Sequence, residues 1–207
     1  MTKNNSLYQF EDLKILVKEI YTLDNNIKRI YDEIKFKIKD INIVIVNPNI
    51  VFGLEHILDI IKIINEKIKR KEKRDIKNLD IEFLLRICYT DQIANAFQKL
   101  NENKNNNYNS FICILFSKNP SDIENALKDL KKYNLQEVVS KETNQKDEVK
   151  DRIIKTKSLI EMSDQKKQYI LRLFFKKELE DVNQLFFIKD NSKFQKFLIE
   201  RAAIALK

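Results

Sequence analysis

Apolar residues along this chain recur at two spacings, and the switches between them map its elements. After a polar start, Leu13–Val17 (LKILV) is a short apolar run that predicts a buried strand. Asp24, Asn25 and Asn26 are helix-capping types, and Ile27, Ile30, Tyr31 and Ile34 follow at i, i+3, i+4 and i+7. Ile41–Val46 (INIVIV) is the clearest β-branched strand. It stops at Asn47-Pro48-Asn49, because proline lacks a donor for the sheet ladder and asparagine accepts unusual backbone angles.

A helical block starts at Gly53. Leu54, Ile57, Leu58, Ile61, Ile64 and Ile68 form one apolar stripe. Asn78 or Asp80 is placed to cap a second helix with Ile81, Leu84, Leu85 and Cys88 on one face. Thr90 is placed to cap a third, whose inward face is Ile93, Ala96, Phe97 and Leu100. The tract Asn101–Asn109 (NENKNNNYN) reads as a loop by composition, and Ser110–Ser117 returns to strand. Asn119-Pro120 opens a helix with proline at its favoured first position and Ile123, Ala126, Leu127 and Leu130 facing in.

From about 138 to 160 the chain is charged and weakly periodic, which predicts a mobile insertion. Ser163 caps a helix with Ile170, Leu173 and Phe174 inward. Ser192 caps the last, through Phe194, Phe197 and Leu198, before the apolar ending Ala202–Leu206. Strands mixed with runs of helices predict an α+β (mixed α/β) fold. The expected architecture is one domain over residues 1–207, a small, mainly antiparallel sheet packed against several amphipathic helices. A charged insertion is expected near 138–160.

Composition narrows the chemistry. One glycine in 207 residues leaves no room for a Gly-rich phosphate loop or a dinucleotide fingerprint. With a single histidine and no C-x-x-C, a structural zinc site lacks ligands, so neither metal nor cofactor is expected. Cys88 and Cys113 sit inside apolar runs and read as buried free thiols of a reducing compartment rather than a disulfide. The N-terminus lacks the apolar core of a signal peptide, and no apolar run approaches the roughly 20 residues that span a bilayer. The expectation is a cytoplasmic protein with no membrane partner and no small-molecule substrate.

Charge adds a binding surface. Net charge is +8, and Lys67–Lys77 (KIKRKEKRDIK) holds seven basic and two acidic residues. Lys69, Arg70, Lys71, Lys73 and Arg74 suit contacts to a phosphate backbone, which release condensed counterions. The same residues also suit a solvated helix end, where positive charge complements the helix dipole. Downstream lie Arg86, Gln92, Gln98 and Lys99, with Tyr89 and Phe97 as aromatics able to stack a base, although Phe97 also falls on the apolar stripe. His56 stands beside Glu55 at a strand–turn–helix junction. It reads either as a ligand contact or as a histidine satisfied by nearby backbone, and the second reading is preferred.

The segments VNPNIVFGLEHILDIIKII, LDIEFLLRICYTDQIANAFQKL and SFICILFS resemble the small KEOPS (EKC) subunit known as the PRPK-binding protein, the TPRKB family. That family follows a strand with Asn-Ala-x-x-Val-x-Gly-x-x-His, a long helix, and then Glu-x-Leu-x-x-x-Ser-Gly-x-Arg-Gln-Ile-x-x-Ala and another strand. This chain matches at Asn47, Val51, Gly53, His56, Glu82, Leu84, Gln92, Ile93 and Ala96, and FLIERAAIALK is similar to the family's ending. It departs where Asp91 replaces the arginine, Cys88-Tyr89 the Ser-Gly pair, and Asn101 a later glycine, and its wider spacing from His56 to Gln92 implies a basic insertion near 67–79.

The resemblance implies a non-catalytic subunit. Such a subunit docks on and stimulates the kinase-like ATPase subunit of KEOPS. It also helps hold the single-stranded 3′ CCA end of tRNA for N6-threonylcarbamoyladenosine modification. Gln92 and Ile93 are then the matched contact positions, with Lys69, Arg70, Lys71, Lys73, Arg74, Arg86 and Lys99 as the cationic surround. Ile93 equally fits the core of its helix. The alternative is a general RNA- or DNA-binding module unrelated to KEOPS. A small enzyme built on His56 is the third possibility, and it requires a defined activity that His56→Ala abolishes.

Overall fold

The computed structural model describes residues 5–10, 13–22, 27–37, 41–70, 78–101, 109–130, 161–176 and 189–206. The fold is α+β, with four strands and, among the described residues, seven α-helices. No helix among them is long and apolar enough to cross a membrane. The capping residues at 24–26, most of the polar tract before Asn109 and the charged stretch 138–160 lie outside the described residues, as do Lys71, Lys73 and Arg74.

The elements gather into two compact units, each assembled from two stretches of chain. The first comprises Met1–Ile45 and Lys104–Leu159. It holds β1 (Asn5–Phe10), β2 (Leu13–Thr22), α1 (Ile27–Lys37), β3 (Asn42–Val46, whose last residue begins the second unit), β4 (Asn109–Ser117) and α5 (Pro120–Leu130). Sheet order is β1-β2-β4-β3. β1 pairs antiparallel with β2, from Asn5 opposite Lys18 to Phe10 opposite Leu13, and β2 with β4, from Lys14 opposite Ser117 to Thr22 opposite Asn109.

The interior position of β4 explains its composition. Flanked by β2 and β3 and buried from Phe111 to Ser117, it reads as a continuous apolar run rather than an alternation. α5 packs on β4 and β2 through Ile123 and Ala126. The sequence pattern reads these residues only as a polar start, and the structure adds β1 there. NSLYQF is a strand because β2 offers it an edge; its own pattern is too mixed to declare one.

The second unit comprises Val46–Asn103 and Ile160–Lys207. A 3-10 turn (Pro48–Ile50) leads into α2 (Leu54–Lys69), followed by α3 (Leu79–Ile87), α4 (Ile93–Leu100), α6 (Asp164–Phe174) and α7 (Asn191–Ile204). α2 packs on α3 and α7, α3 also on α4 and α7, and α6 on the 3-10 turn. One core cluster joins Phe52, Ile170, Leu171, Phe175, Phe194 and Leu198.

Two caps and one face differ from the expected ones. Ser163 does cap α6, its Oγ accepting from the Lys166 N–H at 3.3 Å. α7 is capped by Asp190 rather than Ser192, with Oδ1 accepting from Ser192 N–H at 2.8 Å and Lys193 N–H at 3.2 Å. Those N–H groups hold the Asp190 carboxyl below the usual carboxylate range. Gln92, not Thr90, is the N-cap of α4. On α6, Leu171 joins Ile170 in full burial, whereas Leu173 and Phe174 are half-buried.

Candidate functional site

The site grows from the turn that opens the second unit. Asn47 Oδ1 accepts from Asn49 N–H at 2.9 Å, a turn closed by side chain as well as backbone. Gly53 then takes φ 84° and ψ 165°, a region that is essentially glycine's alone. A Cβ there would lie 2.7 Å from Met162 Cε. This kink starts α2 at Leu54 and turns His56 inward, where it is 0% exposed.

His56 is satisfied on both nitrogens. Phe52 N–H donates to Nδ1 at 3.3 Å, and Nε2 lies 3.1 Å from Tyr89 Oη. A backbone N–H only donates, so Nδ1 carries no proton and Nε2–H donates to the tyrosine oxygen. Burial pushes the His56 pKa down from 6.5 to about 4; Asp59 opposes that shift and Lys166 adds to it. The expectation of a junction histidine held by nearby backbone matches this geometry.

Tyr89 sits at the end of α3. Thr90 N–H donates to Leu85 O at 3.1 Å and Tyr89 N–H to Arg86 O at 3.2 Å, the paired bonds of a Schellman ending. The residue that closes such a motif is left-handed, and Tyr89 has φ 49°, the one non-glycine with positive φ among the described residues. Its half-buried ring packs against Phe174 and Phe175, centroids 5.1 and 4.8 Å away. Lys99 Nζ lies 4.8 Å from the Phe174 centroid and donates to Cys88 O at 3.3 Å. The Arg201 guanidinium covers Phe197 at 5.2 Å. Phe174, Phe175, Phe197 and Arg201 were not expected at a site. The adjacent phenylalanines that end α6 were the available signal.

Beyond the turn, α4 begins in solvent. Gln92, Ile93 and Asn95 are exposed, Ile93 by 47%. Gln92 Oε1 accepts from Asn95 Nδ2 at 2.9 Å, and Gln92 N–H donates to Thr90 Oγ1 at 3.3 Å. The placement of Ile93 in the core is therefore overturned. α4 meets α3 through Ala96 and Leu100, and its first turn projects past that contact. Asp91 is exposed beside it.

The expected cations separate into three groups. Lys69 and Arg70 are exposed at the end of α2, Lys69 lying 3.5 Å from Glu66. Lys99 is half-buried on Phe174. Arg86 is not at a surface at all: it is 0% exposed, its Nε and Nη2 donate to Glu82 Oε1 at 2.9 and 2.6 Å, and Nη1 donates to Ala202 O at 2.6 Å. Its fork matches the carbonyls left open at the end of α7, so it serves the fold rather than a ligand.

The site's reactive groups are quiet. Cys88 and Cys113 are free and buried, and burial pushes both thiols up to about 12, far from a nucleophilic thiolate. Among the described residues no cluster of three or more His, Cys, Asp or Glu is placed to hold a metal ion. What the arrangement can do is present an apolar and amide edge, Gln92–Ile93, from a turn braced by packed aromatics. The sequence matches no known family model and no curated protein.

Proposed function

We propose that this chain is a non-catalytic, cytoplasmic subunit of the KEOPS type. It docks on a kinase-like ATPase partner and helps hold the single-stranded 3′ end of tRNA during threonylcarbamoyladenosine modification. The observation that carries this reading is the exposure of Gln92 and Ile93, the two positions the resemblance names for contact. A large apolar side chain half in water beside the exposed amides of Gln92 and Asn95 suits a sequence-tolerant grip on unstacked bases. Two further features support it. Gly53 occupies a glycine-only conformation at the matched glycine, and Tyr89 is left-handed where the family carries glycine.

Affinity in this reading comes from Lys69 and Arg70 as diffuse cationic attraction, with Gln92 and Ile93 reading the tail. Arg86 has no part in it. Two experiments test the proposal. The chain co-purifies with a kinase-like ATPase, and it shifts intact tRNA in a salt-dependent way that trimming the CCA end abolishes. Ile93→Asp weakens that shift by about tenfold or more, since it buries a charge against bases and repels phosphate. Absence of the ATPase partner overturns the KEOPS assignment, and equal binding of trimmed tRNA overturns the tail reading.

The exposed pair Lys69–Arg70 on a chain of net charge +8 favours one second reading, a general polyanion-binding module. It predicts comparable affinity for any RNA or DNA and no dependence on the tail.

A further inference from the structure

The α3–α4 turn holds a tyrosine in a conformation that tyrosine adopts only under constraint. Glycine is the residue this backbone favours, so what Tyr89 brings must come from its side chain. That side chain is gripped at both ends. Its hydroxyl meets His56 Nε2 at 3.1 Å, and its ring rests on Phe174 and Phe175 at 5.1 and 4.8 Å. His56 is itself fixed, fully buried with Nδ1 on the Phe52 N–H. On the other side of Tyr89, Thr90 Oγ1 accepts from the Gln92 N–H, so the turn connects directly to the exposed start of α4.

We propose that His56 and Tyr89 form a latch that selects one of two conformations of the α3–α4 turn and thereby positions Gln92 and Ile93. The positioning half rests on the reading of those two residues as ligand contacts; the latch itself does not. Released from His56, Tyr89 returns to negative φ, the Thr90 N–H···Leu85 O and Tyr89 N–H···Arg86 O bonds break, and the start of α4 swings with them. Tyr89 and His56 are positioning residues: neither needs to touch a ligand.

Amide hydrogen exchange at Thr90 and Gln92, with ¹⁵N signals of the His56 imidazole, tests the latch in the full chain. Tyr89→Phe keeps the ring and loses the hydroxyl, so exchange at Thr90 rises about fivefold to tenfold, the worth of one hydrogen bond. The His56 Nε2–H signal shifts in the same variant. Tyr89→Gly removes the left-handed strain yet exchanges faster still. Exchange in Tyr89→Gly equal to or slower than in the parent overturns the latch, because backbone preference alone then sets the turn. An unmoved imidazole signal in Tyr89→Phe also overturns it. Binding of intact against tail-trimmed tRNA by the same variants reads the positioning half, which Tyr89→Phe weakens. If the parent chain itself ignores the tail, the ligand reading falls while the exchange data still decide the latch.

Discussion

His56 stays neutral at physiological pH because charging it would place an unsolvated cation against the Phe52 N–H that already points at Nδ1. Its folded pKa of about 4 lies below the ordinary 6.5, so between those values the unfolded chain binds a proton that the folded chain refuses. The full contribution is present above pH 6.5 and is lost as pH falls toward 4, at about 1.4 kcal/mol per unit and roughly 3 kcal/mol in all. Urea midpoints from pH 7 to 4 check this, with His56→Gln flattening the slope; equal slopes would remove His56 from the acid response. Gly53 makes the second prediction at this scale. Gly53→Ala costs about 1–3 kcal/mol from φ 84° and ψ 165°. Met162 is the flexible side chain the new Cβ meets. Adding Met162→Ala therefore restores little of the lost melting temperature, and full recovery would make the clash, not the backbone, the cause.

At the scale of elements, the second unit is tied together at helix ends. The end of α7 and the chain just past it have carbonyls taken by two cations from other helices, Arg86 of α3 at Ala202 O and Lys67 of α2 at Leu206 O, the latter at 3.2 Å. Arg86 also reaches back one turn to Glu82, so a single guanidinium completes α3 and α7 at once. Arg86→Met should lower stability by roughly 3 kcal/mol, the usual penalty for breaking an enclosed pair from one side. Arg86→Lys recovers only part of it, because an ammonium cannot reproduce the fork. Chemical denaturation reads both, and a loss below about 0.5 kcal/mol for Arg86→Met would mean the clamp contributes as little as a surface pair. The expected elements from β2 to α7 mostly survive here, since each carries a periodic stripe that burial then uses. Ser192 against Asp190 shows where periodicity fails, for two good capping residues stood together and geometry chose the earlier.

Across the whole molecule the two cysteines fall one in each unit, Cys113 on β4 and Cys88 at the end of α3. Both thiols are pushed up to about 12 by burial, with Lys18 drawing Cys113 back across the ladder and Lys99 doing so for Cys88. In the native chain both therefore resist alkylation, and each becomes reactive only when its own unit opens. Residue-resolved iodoacetamide labelling along a urea gradient measures this. Coincident labelling marks one cooperative transition, staggered labelling marks two, and native-state labelling of Cys88 at the rate of an exposed thiol would contradict its enclosure.

What the sequence determined by itself is the set of local decisions: strand against helix from apolar period, the turn at Asn47-Pro48-Asn49, the buried thiols, and the junction histidine held by nearby backbone. Those follow from residue types within a few positions of one another. Tertiary structure decided what depends on distant neighbours. It paired β1, an indifferent strand, with β2, and it enclosed Arg86, which looked like a surface cation until α7 supplied its carbonyls. It turned Ile93 out of a stripe that pointed inward, because α4 meets its neighbour only from Ala96 onward. It also bent Tyr89 into a glycine's conformation with side-chain contacts from residues 56, 174 and 175, a compensation no local pattern can announce.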